Sequence, residues 1–273
     1  MDMARLGAMH PDETIETGEL SAGEYCTHFR CAGRGAPLVL LHGAGGDGSL
    51  FDPVLGPLAG TRRVVAPDLL GHGSTKGPSQ GYTVGGYCRW LGSFLKNIAT
   101  EPVDLAGHSL GGAIALRFAA RNPDAIRRLV LVDSIALGVP SLHTTLVLLG
   151  AVFSRHEKCV QELVARAIFY GGVQDARQLM ASASIPHGAG GFLWMYSRTW
   201  SAALPIASRV LNRITAPTMI LWGQQDRYFP VRHAKRAVRC IPGVKLQVIP
   251  FAGHLPFLEQ PEPFCGALEE FLS

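Results

Sequence analysis

The segment Val103-Asp104-Leu105-Ala106-Gly107-His108-Ser109-Leu110-Gly111-Gly112 constrains this chain more than any other. Val103, Leu105 and Ala106 read as a short apolar strand and residues 113–120 as a helix, which leaves Ser109 on the turn between them. Gly107 and Gly111 flank the serine in a G-x-S-x-G pattern. A serine squeezed between strand and helix has no room for bulky neighbours. Glycines two before and two after let the backbone turn sharply and lift the Ser109 hydroxyl out of the fold. The turn also puts Ser109 at a helix N-terminus, where free backbone N–H groups and the helix dipole favour developing negative charge. Such a hydroxyl still needs a base before it becomes a nucleophile.

The rest of the chain has the pattern that would carry such a turn. Residues 38–41, 63–66, 128–132 and 218–222 are runs with almost no polar alternation, as expected of strands buried on both faces of a parallel sheet. Residues 24–30 and 245–249 read as further strands, and 82–98, 231–239 and 261–272 as helices, the last with Pro261 in its first turn. Alternating strands and helices imply an α/β fold with a mostly parallel, doubly wound sheet. Between about 135 and 206 the strand runs vanish. Helix-like stretches at 142–153 and 157–170 take their place, broken by Pro186 and Gly188 to Gly191. The expected organisation is an α/β core from 1–134 and 207–273, with 135–206 as a helical cap over the site.

Composition excludes several classes of function. A chain of 273 residues can bury a core without help, and its net charge of +4 is small and scattered, with no basic run for nucleic acid. Residues 1–21 are polar, without the basic and apolar regions of a secretory signal. The longest apolar run, around 146–153, falls well short of the roughly 20 residues that span a bilayer. The six cysteines, Cys26, Cys31, Cys88, Cys159, Cys240 and Cys265, form no C-x-x-C pair. They suggest neither a zinc site nor a disulfide framework, only free thiols in a reducing cytoplasm, with Cys26 and Cys31 at most an incidental pair. A cytoplasmic monomer or homodimer that touches neither nucleic acid nor membrane is expected.

A serine nucleophile requires a base and a group to orient that base. Trp222-Gly223-Gln224-Gln225-Asp226 follows one strand and Phe251-Ala252-Gly253-His254 follows the next, giving the order Ser109, Asp226, His254. After the first buried strand comes His42-Gly43-Ala44-Gly45-Gly46, which has neither the G-K-[ST] ending of a phosphate loop nor the G-x-G-x-x-G spacing of a dinucleotide site. Its backbone amides suit a donor role beside a reaction centre.

In these motifs the chain resembles the α/β-hydrolase superfamily, whose triad runs in that order. The resemblance extends from about Leu38 to Phe271. It implies that Ser109 attacks a carbonyl, that His254 is general base and then general acid, and that Asp226 holds its imidazole. Some members of the family place the acid after the strand that here ends at Asp133, so Asp133 is the rival for that role. The backbone N–H groups of Ala44 and Leu110 would form the oxyanion hole. His108 is expected to point away from the nucleophile and bond locally, His42 and His72 to be structural, and Asp68 to tie its loop down. Trp194, Tyr196, Trp200 and Leu255 are candidates to line the substrate pocket.

A serine at the elbow, where family members that attack saturated carbon carry aspartate, implies an acyl-enzyme. Hydrolysis of a carboxylic ester with a small to medium hydrophobic substrate is the first expectation. Thioester or lactone hydrolysis, acyl transfer, and carbon–carbon cleavage of meta-cleavage-type diketone acids use the same residues. Members of that last branch often carry tryptophan straight after the base, where this chain has Leu255. A ligand-binding receptor on a hydrolase fold is the non-enzymatic alternative. Nothing in the sequence demands a metal or an organic cofactor.

Overall fold

A computed structural model describes residues 14–78, 82–153, 162, 165–171, 206 and 208–273. Its centre is set by strands whose side chains are apolar on both faces. These are β3 (Pro37–Leu41), β4 (Arg63–Pro67), β5 (Val103–His108), β6 (Ile126–Val132) and β7 (Thr218–Gly223). Successive residues alternate between two apolar layers. Val39, Leu41, Val65, Leu105, Leu129, Leu131, Ile220 and Trp222 face one layer. Leu38, Leu40, Val64, Ala106, Val130, Val132, Met219 and Leu221 face the other. A period of two with apolar residues on both faces requires a cover on each side.

Helices supply both covers. The first layer is closed by α2 (Val84–Ile98), α3 (Leu110–Ala119) and α5 (Arg232–Ala237), which contribute Trp90, Phe94, Ile114, Phe118 and Ala234. The second is closed by α1 (Asp52–Ala59) and α6 (Pro261–Leu272), which contribute Val54, Leu55, Leu58, Phe264 and Leu268. Trp90 also donates its indole N–H to Thr27 Oγ1 at 2.9 Å and so pins α2 to the sheet.

With β1 (Glu16–Ala22), β2 (Tyr25–Ala32) and β8 (Lys245–Ile249), the sheet has eight strands in the order β1-β2-β4-β3-β5-β6-β7-β8. The β1–β2 and β2–β4 pairs are antiparallel, and every other pair is parallel. Strand order reverses around β3, which lies between β4 and β5. A crevice opens at such a switch point beyond the carboxyl ends of the strands, where open α/β sheets bind ligands.

Apart from the stretch 157–170, of which 157–161, 163 and 164 lie outside the described residues, the expected strands and helices are present with shifted ends. The helix at 82–98 begins at Val84, where the Thr83 side chain caps it by accepting from the Gly86 N–H at 3.1 Å. The helix after Ser109 begins three residues earlier than the apolar pattern implied, at Leu110. The elements with no counterpart in the sequence reading include β1 and α1. β1 is an exposed edge strand of polar sequence, and α1 contains Gly56 and Pro57, residues that argue against a helix. Pro57 lies inside this eight-residue helix and costs it the bond to the Pro53 carbonyl, while Val54, Leu55 and Leu58 bury the helix in the second layer.

Of the insertion, the described parts are helical. They comprise a 3-10 turn at Ile135–Leu137, α4 (Leu142–Phe153), helical turns within 165–168 and the short helix Ser208–Leu211. No strand occurs among the described residues between Val132 and Thr218. The start of α4 is stitched to the loop after Asp226, since the hydroxyls of Ser141 and Thr144 each donate to the Arg227 carbonyl at 2.8 Å. Cys26, Cys31, Cys88, Cys240 and Cys265 are all free thiols.

The turn after β5 is built on glycines. A Cβ on Gly107 would lie 2.4 Å from the Gly111 carbonyl oxygen, and one on Gly111 would lie 2.3 Å from that of Leu41. Gly266 in α6 has open space instead. Gly111→Ala is therefore expected to cost about 3 kcal/mol in urea unfolding through backbone overpacking. Gly266→Ala is expected to gain about 0.5–1 kcal/mol by helix propensity.

Candidate active site

Four loops leave the carboxyl ends of β3, β5, β7 and β8 and meet in this crevice. Ser109, on the second of them, has φ 50° and ψ −111°, outside the regions that L-residues prefer. The strain, of order 1–3 kcal/mol, persists because the surroundings over-determine it. The Ser109 N–H donates to the Val132 carbonyl at 2.9 Å, its own carbonyl accepts from Ala113 and Ile135, and the Gly111 N–H reaches the His42 carbonyl at 3.1 Å. The other non-glycine residues with positive φ among those described are Asp133 and Phe251, which follow β6 and β8. All three lie where this crevice opens.

Ser109 is only 6% exposed, so the turn does not stand the serine free at the surface as the local sequence implied. The neighbouring loops close around it. A Cβ on Gly43 would be 3.0 Å from Ser109 Cβ and 2.8 Å from His108 Nδ1, so the loop after β3 lies directly against the serine turn.

His254 and Asp226 meet as the sequence order suggested. His254 Nδ1 lies 2.8 Å from Asp226 Oδ2, with both residues buried. Since the carboxylate only accepts, Nδ1 carries the proton and Nε2 is left with a lone pair. The other oxygen of Asp226 accepts the backbone N–H groups of Tyr228 and Phe229 at 2.8 and 2.9 Å, which fixes the carboxylate plane. Asp226, not Asp133, is the carboxylate on the imidazole. The turns bearing Asp226 and His254 are back to back, for a Cβ on Gly223 would fall 1.9 Å from the Gly253 carbonyl oxygen.

His108 does more than the local packing expected of it. Its Nε2 donates to the carbonyl of His254 at 2.7 Å, a bond 146 residues apart in sequence, and the two rings lie 4.8 Å apart. The residue next to the serine thus holds the loop that carries the imidazole. Burial drives the His108 pKa well below its usual value, with the nearby His254 acting in the same direction, so the ring is neutral.

His42 and Asp68 are structural, as expected. His42 Nδ1–H donates to the Gly43 carbonyl at 2.7 Å while Nε2 accepts from the Leu69 N–H at 2.8 Å. Burial lowers its pKa to about 4, and that of His72, whose ring meets it edge-on, to about 3. Asp68 accepts from the Gly48 and Ser74 amides at 2.9 and 2.8 Å and pairs with His28.

Of the two anticipated amide donors, Leu110 opens α3, where the first N–H groups have no intrahelical acceptor. Ala44 lies on the turn after β3, exposed, with Gly45 at φ 82° behind it. Leu255 caps the short helix Pro256–Glu259 and is buried in the second apolar layer. Trp194, Tyr196 and Trp200 lie outside the described residues.

One residue of the site, Glu259, was missed in the sequence, and Asp133 was named there only as the rival acid. Asp133 is fully buried beside Asp226, and Glu259 organises the base loop. The Glu259 carboxylate accepts from Gly253 at 2.8 Å, Leu255 at 3.4 Å and Tyr170 at 2.6 Å. Burial raises its pKa, against the effect of these three amides. The His254 N–H also donates to the Ile168 carbonyl at 2.8 Å, so the insertion is fastened to the base loop at two points. The Glu259 carboxyl has no local motif that would announce it.

Asp133, Asp226 and His254 are also the one set of three candidate metal donors among the described residues, with ligand atoms within 4.8 Å of one another. The Asp226 to His254 hydrogen bond already engages two of those atoms. A separate groove of about 700 Å³ between α2 and α3, lined in part by Arg89, Lys96 and Arg121, includes Pro102 and Val103 at the amino end of β5, away from this site.

The profile of the alpha/beta hydrolase family matches residues 38–267. The chain belongs to the alpha/beta hydrolase family. Among its relatives, a 2-hydroxymuconate semialdehyde hydrolase of Pseudomonas putida is 27% identical over 96% of each chain. A pimeloyl-[acyl-carrier protein] methyl ester esterase of Neisseria meningitidis is 27% identical over 85% of this chain and 92% of its own. The structure of a thermophilic esterase from Thermogutta terrifontis superposes with a TM-score of 0.75 at 26% identity, covering 94% of this chain and 98% of the esterase. This alpha/beta hydrolase has relatives that cleave esters and relatives named for other substrates.

Removing the Glu259 carboxylate would strand three amides and remove one of the two bonds that fasten the insertion to the base loop. Glu259→Ala is expected to lower stability by about 3 kcal/mol in chemical unfolding, the upper range for bonds to a charged group. Hydrogen exchange should quicken first at Gly253, Leu255 and Tyr170.

Proposed function

We propose that this alpha/beta hydrolase cleaves carboxylic esters through an acyl-enzyme on Ser109. The observation that carries the reading is the buried 2.8 Å contact between His254 Nδ1 and Asp226 Oδ2, two loops away from a strained serine at the start of α3. With Nδ1–H committed to Asp226, the Nε2 lone pair is the base. Ser109 Oγ attacks the ester carbonyl carbon and its proton passes to Nε2. The tetrahedral oxyanion is held by the N–H groups of Leu110 and Ala44, each worth roughly 3–4 kcal/mol by comparison with measured oxyanion holes. Collapse breaks the bond to the alcohol, which leaves with the proton from Nε2. Water then repeats the sequence on the acyl-enzyme and restores Ser109.

Residues 135–206 act in this reading as a cap, with Trp194, Tyr196, Trp200 and Leu255 lining a mainly apolar pocket that suits a small to medium hydrophobic substrate. A cytoplasmic location fits the unpaired thiols. Among the described residues no helix is long and apolar enough to cross a membrane.

Carbon–carbon hydrolysis of a diketone acid is the second reading, favoured by the relationship to the 2-hydroxymuconate semialdehyde hydrolase. Leu255 after the base, where that branch often has tryptophan, places it second.

p-Nitrophenyl esters of increasing acyl length, assayed with wild type and Ser109→Ala, test the proposal. Wild type is expected to turn over short or medium esters and the alanine variant to fall by on the order of a million-fold. Silence on every ester, with turnover of a vinylogous diketone acid, would move the assignment to the second reading.

A further inference from the structure

The side chain at this site that the reaction above leaves without a task is Asp133. It follows β6 at φ 42°, is fully buried, and continues the sheet by donating its N–H to the Leu221 carbonyl at 3.1 Å. One oxygen accepts from the Gly223 N–H at 3.1 Å, the other more weakly at 3.4 Å. A carboxyl oxygen of Asp133 lies within 4.8 Å of a carboxyl oxygen of Asp226, so the two buried side chains share one site. Two carboxylates buried this close together do not both ionise, so one of the pair is an acid.

The surroundings decide which. Asp226 has two backbone N–H groups on one oxygen and the His254 imidazole N–H on the other, an arrangement that satisfies an anion. Asp133 has a single backbone amide. We propose that Asp133 is held as the neutral acid and donates its hydroxyl hydrogen to Asp226, which keeps the negative charge on the carboxylate that orients His254. Asp133 is then a positioning residue, and this role rests on the triad assigned under the proposed function.

The charges around Asp133 agree. Asp226 comes from the turn after β7 and Glu259 from the short helix at 256–259, both anionic, while His254 presents its N–H to Asp226. Burial first, and then the negative charge of Asp226, push the Asp133 pKa well above the ordinary carboxylate range. The folded protein therefore binds one more proton than the unfolded chain at every pH between about 3.9 and that raised value. Stability from this group is complete below about 3.9 and falls as pH rises across the window.

The test compares wild type, Asp133→Asn and Asp133→Ala. The infrared spectrum of wild type at neutral pH should contain the carbonyl band of one protonated carboxylic acid that is missing from Asp133→Asn. Thermal unfolding should show Asp133→Asn gaining on wild type as pH rises, because the amide donates without taking up a proton. With a p-nitrophenyl ester, Asp133→Ala should lose about tenfold to a hundredfold in kcat/KM, the scale of one hydrogen bond to a charged group. Asp133→Asn should recover to within about threefold of wild type. Absence of the acid band, or a loss in Asp133→Asn as large as in Asp133→Ala, would overturn the proposal. If Asp133→Ala does not fold, the infrared comparison decides alone. Failure of the ester-hydrolase reading would show separately, as wild type without turnover, and would leave the infrared result standing.

Discussion

The contact between the start of α3 and the end of β3 is the constraint on which the site depends. Gly111 meets the carbonyl oxygens of Leu41 and His42 at a distance that leaves no space for a side chain, and Gly107 folds back against Gly111 in the same way. This packing forces Ser109 to positive φ. It also brings three strand ends into one hydrogen-bonded unit, because the serine turn after β5 bonds to Val132 at the end of β6 and to His42 after β3. The strain is local, whereas its support is spread over the centre of the sheet.

That sheet makes such precision possible. Five central strands are apolar on both faces and are covered by helices on each side, so their carboxyl ends cannot shift without disturbing two packed layers. Loops leaving those ends inherit fixed starting points. The acid turn and the base turn then brace each other through Gly223 and Gly253, and His108 bonds the base loop to the serine turn. Glu259 and Ile168 tie residues 168–170 to this framework, so that the position of this segment and that of His254 are linked.

Electrostatically the site is sparse. His42, His72 and His108 are all driven to the neutral form by burial, and they act as fixed hydrogen-bond donors and acceptors rather than as charges. Three N–H groups converge on the Asp226 carboxylate and fix it in place. A low-dielectric setting of this kind strengthens each remaining polar contact and makes an unpaired one costly.

The local pattern of residues determined the elements with strong periodicity. The unbroken apolar runs of β3 to β7 marked a doubly wound sheet because only strands covered on both faces dispense with polar alternation. The motifs around Ser109, Asp226 and His254 were legible because glycines at close backbone approaches leave a mark in sequence. β1 escaped notice because an edge strand needs little apolar surface, and α1 because its prolines and glycine oppose a helix that packing nonetheless holds. Only the tertiary structure decided between Asp226 and Asp133, since both follow buried strands and the choice turns on which carboxylate reaches Nδ1. It alone also revealed the bond from His108 to the His254 carbonyl and the amides gathered by Glu259. Those contacts join residues far apart in the chain through backbone atoms, and a backbone acceptor has no residue type by which a sequence could announce it.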